Sequence, residues 1–239
     1  MDANRRKWCK IITGVVIIVL LFSLIFICGI KNSTDNIKTD IEGFSVLDQN
    51  NPSQGLELSS DGLTVEQFGK YTGEYVEDGS GDVVSDIAAM IVMNQSEEML
   101  QVAEIEVQIN GEDTALFRLS NIPPGKSVLV LDQNKLFCDD NADIRYLSDA
   151  SSWMDEVTTE DERIAIEGKD GRLTVKNMSD QSIELIYVYY KTLADENLYF
   201  GGITYRVPVE EIPRNTVVET EAGHYRLKKS EITNIQIIE

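Results

Sequence analysis

Along the first thirty residues the chain shows no alternation of polar and apolar positions. Ile11–Ile30 is a run of twenty uncharged, mostly apolar residues, about the length a helix needs to cross the hydrocarbon core of a bilayer. The pattern therefore predicts a transmembrane helix over 11–30, preceded by a tail at 1–10. Residues 31–62 scatter single apolar residues among Asn, Ser, Asp, Gln and Gly, which predicts a flexible stalk.

From Leu63 the texture changes to short β-type runs separated by turn residues. Ile87–Met93 reads as a buried strand and 94–98 as a turn. Glu104–Ile109 alternates polar with apolar, and Asn110-Gly111 supplies two residues suited to positive φ. The chain then returns through Thr114–Leu119 with Phe117 and Leu119 on one face, a hairpin with one wet side. Ile122-Pro123-Pro124-Gly125 turns it again into Ser127–Leu131.

The same plan returns later. Asn177-Met178-Ser179 repeats Asn94-Gln95-Ser96 at an offset of 83, and Ile212-Pro213 repeats Ile122-Pro123 at an offset of 90. One seven-residue insertion reconciles the two offsets. The layout predicts an all-β exterior made of two β-sandwich modules, 63–150 and 163–239, joined by an acidic linker at 151–162. Between them Ile144–Val157 predicts a short helix, capped by Ser148 or Asp149, with Trp153, Met154 and Val157 as its apolar contacts. Gly201-Gly202 predicts a bulge or bend in its strand.

In the order strand, Asn-x-Ser turn, alternating strand, hairpin, Ile-Pro turn and strand, residues 85–131 and 172–221 resemble the immunoglobulin-like modules, FxLYD-type included, of membrane-tethered envelope proteins in Gram-positive bacteria. That resemblance implies tandem immunoglobulin-like sandwiches and an envelope location, and no particular reaction.

Charge orients the anchor. Arg5, Arg6, Lys7 and Lys10 precede it against Asp2 alone, whereas acids dominate the following thirty residues. Basic flanks stay cytoplasmic, so the N-terminus is expected inside and 31–239 outside, a single-pass type II protein in the cell membrane. A cleaved secretory signal is the alternative, but no A-x-A pattern follows and Phe26 and Ile27 precede Cys28. The formal charge is −20; the first ten residues carry +3 and the span nothing, which leaves −23 beyond residue 30. Such an exterior repels nucleic acid and anionic lipid and favours basic proteins or divalent cations. Only Cys138 of the three cysteines lies outside, so no disulfide forms within the exterior.

Candidate chemistry is sparse. His224 is the single histidine, no Gly-x-Ser-x-Gly elbow is present, and one His with one exterior Cys does not make a zinc set. The expectation is no enzyme and no cofactor. Asp139, Asn141 and Asp143 have the 1-3-5 oxygen spacing of a calcium loop, although positions six and twelve are Ile144 and Ala150; Glu77, Asp78 and Asp82 surround a second flexible turn. A solvated acidic turn is the competing reading of both. Tyr187, Tyr189, Tyr199, Phe200 and Tyr205 crowd the second module as partner-binding candidates, against the alternative that strands simply favour aromatics. The expected function is a membrane-anchored extracytoplasmic binding or accessory protein for an envelope protein or polymer. The alternatives are a self-assembling, pilin-like subunit, a calcium-dependent adhesin and an extracytoplasmic enzyme.

Overall fold

The computed structural model describes residues 41–47, 56–154 and 157–238. The expected anchor at 11–30, the tail at 1–10, Cys9 and Cys28 lie outside the described residues. Among the described residues there are thirteen strands, and no helix is long and apolar enough to cross a membrane.

The strands are β1 (Phe44–Val46), β2 (Leu63–Glu74), β3 (Val83–Asn94), β4 (Met99–Ile109), β5 (Asp113–Ile122), β6 (Ser127–Leu131) and β7 (Ile144–Met154). They continue as β8 (Ile164–Lys169), β9 (Arg172–Asn177), β10 (Ile183–Asp195), β11 (Leu198–Ile212), β12 (Val217–Glu221) and β13 (Ser230–Ile238). One seven-stranded sheet runs β1-β2-β3-β6-β11-β10-β13, and two three-stranded sheets run β5-β4-β7 and β12-β9-β8.

The sequence repeat is visible in the wiring. In the first half β2-β3-β6 accompanies β5-β4-β7, and in the second β8-β9-β12 accompanies β11-β10-β13, the same order at corresponding chain positions. Each half has its own core. Phe68, Met90, Leu100, Ile105, Phe117 and Val130 pack in the first, and Val175, Ile186, Val188, Tyr190, Val209 and Ile235 in the second. Alternation along β4 and β10 directs those side chains inward, and each fully buried large aliphatic stabilises by roughly 1.5–3 kcal/mol.

The turns repeat atom for atom. The Asn94 amide donates to the carbonyls of Glu98 and Ile122, and its Oδ1 accepts from the N–H and hydroxyl of Ser96. Asn177 donates to Gln181 and Ile212 and accepts from Ser179 in the same way. Both asparagines are fully buried, and although Asn94-Gln95-Ser96 and Asn177-Met178-Ser179 have the Asn-x-Ser form of a glycosylation sequon, the fold conceals both amides. Just before each Ile-Pro pair a non-glycine residue takes positive φ, Asn121 at 48° and Glu211 at 50°.

The halves differ where the seven residues are inserted. Val107 faces Ala115 in the first hairpin and Tyr190 faces Tyr205 in the second, at offsets of 83 and 90. Beyond those pairs the first hairpin closes through 108–114, whereas the second continues through 191–204. Its extended tip, Leu198–Phe200, pairs in parallel with Ser127–Leu129 of β6 and thereby fuses the two halves into the long sheet.

Three expectations need correction. Residues 144–154 form strand β7, paired to β4 along its whole length, not a helix. Register shifts in that ladder, between Leu100 and Val102 and between Glu106 and Val107, break the period-two pattern that would have revealed it. Asp149 does cap backbone N–H groups, but they are those of Ser59 and Ser60. Part of the expected stalk is folded: Phe44–Val46 pairs with β2, and Leu47 and Leu56 are buried in the first core. Gly69 makes that docking feasible, since a Cβ there would lie 2.2 Å from the Ser45 carbonyl oxygen. Finally, 151–154 of the expected linker belong to β7, and Thr158 is bonded to β13 through Ile235.

Candidate functional site

The five aromatic candidates do not form one row, because the register sends them to different places. Tyr199 is fully buried, its hydroxyl 2.8 Å from Glu231 and the Lys126 and Lys191 ammonium groups over its ring. Burial and the Glu231 carboxylate push its phenol far above the ordinary value. Phe200 packs on Tyr71 in a small core on the opposite face of the long sheet. Tyr205 stacks between the buried Tyr190 and the exposed His224, at 5.2 and 4.6 Å. Only Tyr187 and Tyr189 stay together, 6.4 Å apart on the outer face of β10. Arg206 lies over the Tyr187 ring at 4.7 Å, and the Tyr189 hydroxyl donates to Gln236.

The acidic candidates are occupied locally. Asp139 accepts from the N–H of Asn141, the N–H of Asp143 donates to Asn110, and the neighbouring Asp140 pairs with Lys70 at 2.9 Å. Asp78 caps the N–H of Ser80 and pairs with Lys135, while Glu77 turns inward, away from Asp82. Among the described residues no group of three or more His, Cys, Asp and Glu side chains is placed to hold a metal ion. Cys138 is fully buried, and burial pushes its thiol up to about 12, so it is protonated and unreactive at neutral pH.

Sequence reasoning missed a charged clasp at the join. Glu77, only 7% exposed, accepts from the N–H groups of Leu131 and Gly202. Lys191, fully buried, donates to the carbonyls of Ser120, Gly202 and Ile203. The reason is geometric: the β10–β11 register skips from Tyr190–Tyr205 to Thr192–Phe200, so 201–204 bulge out opposite Lys191 and expose their peptide groups. Gly201 takes φ +84°, and a Cβ on Gly202 would sit 1.7 Å from the Arg118 carbonyl oxygen. Two charged side chains thus replace the ladder where β6 and β11 part. Desolvation holds the Lys191 ammonium down to about 7 and raises the Glu77 carboxyl. The signal in the sequence was a lone lysine ending the apolar alternation of β10, together with the adjacent glycines across the hairpin.

Beside β13, residues of both halves converge on a groove of about 470 Å³. Gln101, Asn121 and Met154 come from the first half, and Tyr189, Asn234 and Gln236 from the second. Asp161 lines it too, its carboxylate held by the Arg163 guanidinium at 2.9–3.0 Å. Asn234 is 7% exposed; its Oδ1 accepts from the N–H of Thr158, and its Nδ2 has no partner among the described residues. The groove offers amide and phenol groups around one thioether, a set able to hold polar ligands by hydrogen bonds. Neither a protein-family model nor a curated protein matches the chain.

Proposed function

We propose that the chain is a single-pass, membrane-anchored protein whose exterior carries two tandem immunoglobulin-like modules and binds a partner in the cell envelope. Its N-terminus lies inside and residues 31–239 outside. The uncharged run Ile11–Ile30 with its basic leading flank supports the anchor and its direction. The equal strand order of the two halves and their matching asparagine turns support the tandem modules.

The observation that carries the binding role is the groove beside β13, a hollow of about 470 Å³ lined by Tyr189, Asn234 and Gln236 of the second half and by Gln101 of the first. Amides and a phenol recognise; they do not supply an activated nucleophile. Crosslinking in membranes of the native host, followed by capture of the full-length chain, tests the reading. A specific envelope protein captured with the full chain and lost when 63–239 are deleted is expected. Capture of the chain alone would overturn it in favour of a self-assembling subunit.

A further inference from the structure

We propose that the groove beside β13 receives an extended peptide of the partner, whose backbone pairs with the open edge at Ile237 and whose basic side chains reach Asp180, Glu184 and Glu211. This rests on the binding role proposed above and names the chemistry of the ligand.

Among the described strands β13 is the last of the long sheet and pairs with β10 alone. In an antiparallel ladder, backbone groups point alternately toward and away from the partner strand. The Ile235 N–H points away from β10, because it donates to the carbonyl of Thr158 at 2.6 Å. The same alternation turns the N–H and carbonyl of Ile237 outward into the groove, which Ile237 lines.

Thr158 shows how a passing peptide is held. Its carbonyl accepts from a β13 N–H, and its own N–H donates to the side chain of Asn234. Two residues farther along β13 the same kinds of group recur, with Ile237 on the backbone and Gln236 beside it. The nine-tenths buried Asn234 adds an Nδ2 without an acceptor among the described residues. A partner chain in extended conformation satisfies such an edge by main-chain pairing.

Charge sets the direction of the peptide. Ile237 and Arg163 also line a second hollow, which continues past the end of β13 and contains Asp180, Glu184 and Glu211. Arg163 is engaged by Asp161, and no cation pairs with the three acids among the described residues. A segment that pairs at Ile237 and continues into that hollow is complementary when it carries Lys or Arg there.

The test is a titration of the full-length chain in lipid nanodiscs with a fluorescein-labelled Thr-Val-Thr-Val-Lys-Lys peptide, read by anisotropy. Saturable binding is expected, weakened roughly tenfold by N-methylation of alternate peptide nitrogens or by Ile237→Pro, since each removes main-chain pairing. Proline is tolerated there because the N–H it deletes faces away from the ladder. A Glu-Glu version, or the surface double variant Glu184→Lys/Glu211→Lys, should lose binding without loss of fold. Equal binding of the N-methylated peptide would overturn the proposal, since only diffuse attraction to an acidic surface would remain. Absence of binding at millimolar peptide would overturn it too, because this probe carries both the extended backbone and the basic pair that the proposed site requires. So would Asn234-dependent binding of a neutral β-linked hexasaccharide in the peptide's place. An envelope partner still captured by Glu184→Lys/Glu211→Lys would leave the binding role standing and this groove refuted. Capture of no partner at all would count against the role itself, whatever the titration shows.

Discussion

Glu77 and Lys191 grip opposite ends of one residue: the carboxylate takes the N–H of Gly202 at 2.9 Å and the ammonium gives to its carbonyl at 3.0 Å. Lys191→Met leaves the Gly202, Ile203 and Ser120 carbonyls short of a donor and Glu77 without its compensating charge. We expect a loss of about 3–5 kcal/mol in denaturant unfolding. The double variant Glu77→Gln/Lys191→Met should lose less than the sum of the singles; strict additivity would show that the two groups act independently. Gly202→Ala should be at least as damaging, because its methyl meets Arg118 backbone rather than a yielding side chain.

Stability should depend on pH in the alkaline range with a definite sign. Lys191 is held down to about 7 in the folded chain, against an ordinary value of 10.5. Between those values the unfolded chain binds the extra proton, so stability rises with pH from about 7. Burial raises the phenols of Tyr75, Tyr190 and Tyr199, which stay protonated in the fold while the unfolded chain ionises, so the rise turns into a fall above about pH 10. Midpoints of urea unfolding between pH 6 and 11 would show the rise, and the Lys191→Met variant should lack it.

At the acid end Asp149 is the group to watch. Partial burial alone would raise it, but hydrogen bonds from Ser60, Tyr146 and Ser59 hold it down to about 2. Its contribution is present above the ordinary carboxylate value and is lost as the pH falls from about 4 toward 2. Asp149→Asn should therefore raise hydrogen exchange at Ser59 and Ser60 at neutral pH, and flatten the acid limb of unfolding.

Asn94→Ala and Asn177→Ala should cost similar amounts, about 2–3 kcal/mol each, since both strip the same buried carbonyls and serine N–H of partners. Very different costs would mean that the two turns, alike in hydrogen bonding, sit in unlike energetic surroundings.

Alkylation of the native chain by iodoacetamide at pH 8 should spare Cys138, whose thiol lies at about 12 and whose side chain is buried. Peptide mapping should show its modification only once denaturant is added.

Much of the fold was legible because its signals were local. Asn110 and Gly111 take φ of 52° and 75° with the Glu112 N–H bonded to Ile109, as a type I′ turn requires, within a three-residue loop that pairs Ile109 with Asp113. Phe117 and Leu119 are buried together, and the bulge at Gly201-Gly202 lies where the glycines placed it. β7 was illegible because bulges in its ladder scrambled its alternation and because an edge strand tolerates exposed Leu147 beside serines. The aromatic candidates illustrate the limit for sites. Tyr187 and Tyr189 share a face by simple alternation, yet the hairpin extension carries Tyr199 into the other half's core. Which face a side chain takes beyond a bulge is set by tertiary register, and composition does not encode it. The groove is harder still to read, since Gln101 and Gln236 meet only after the two halves join.

That join has a mechanical side. β1 and β13 are the two margins of the seven-stranded sheet, so a pull exerted at β13 reaches β1 only by crossing every rung between them. Five of the six rungs are antiparallel, while the rung between β6 and β11 is parallel and, like the β1–β2 rung at the margin, only three residue pairs wide. When one half is pulled from the other, the molecule should part at that rung, and the grip on Gly202 acts as the rivet that sets its breaking load.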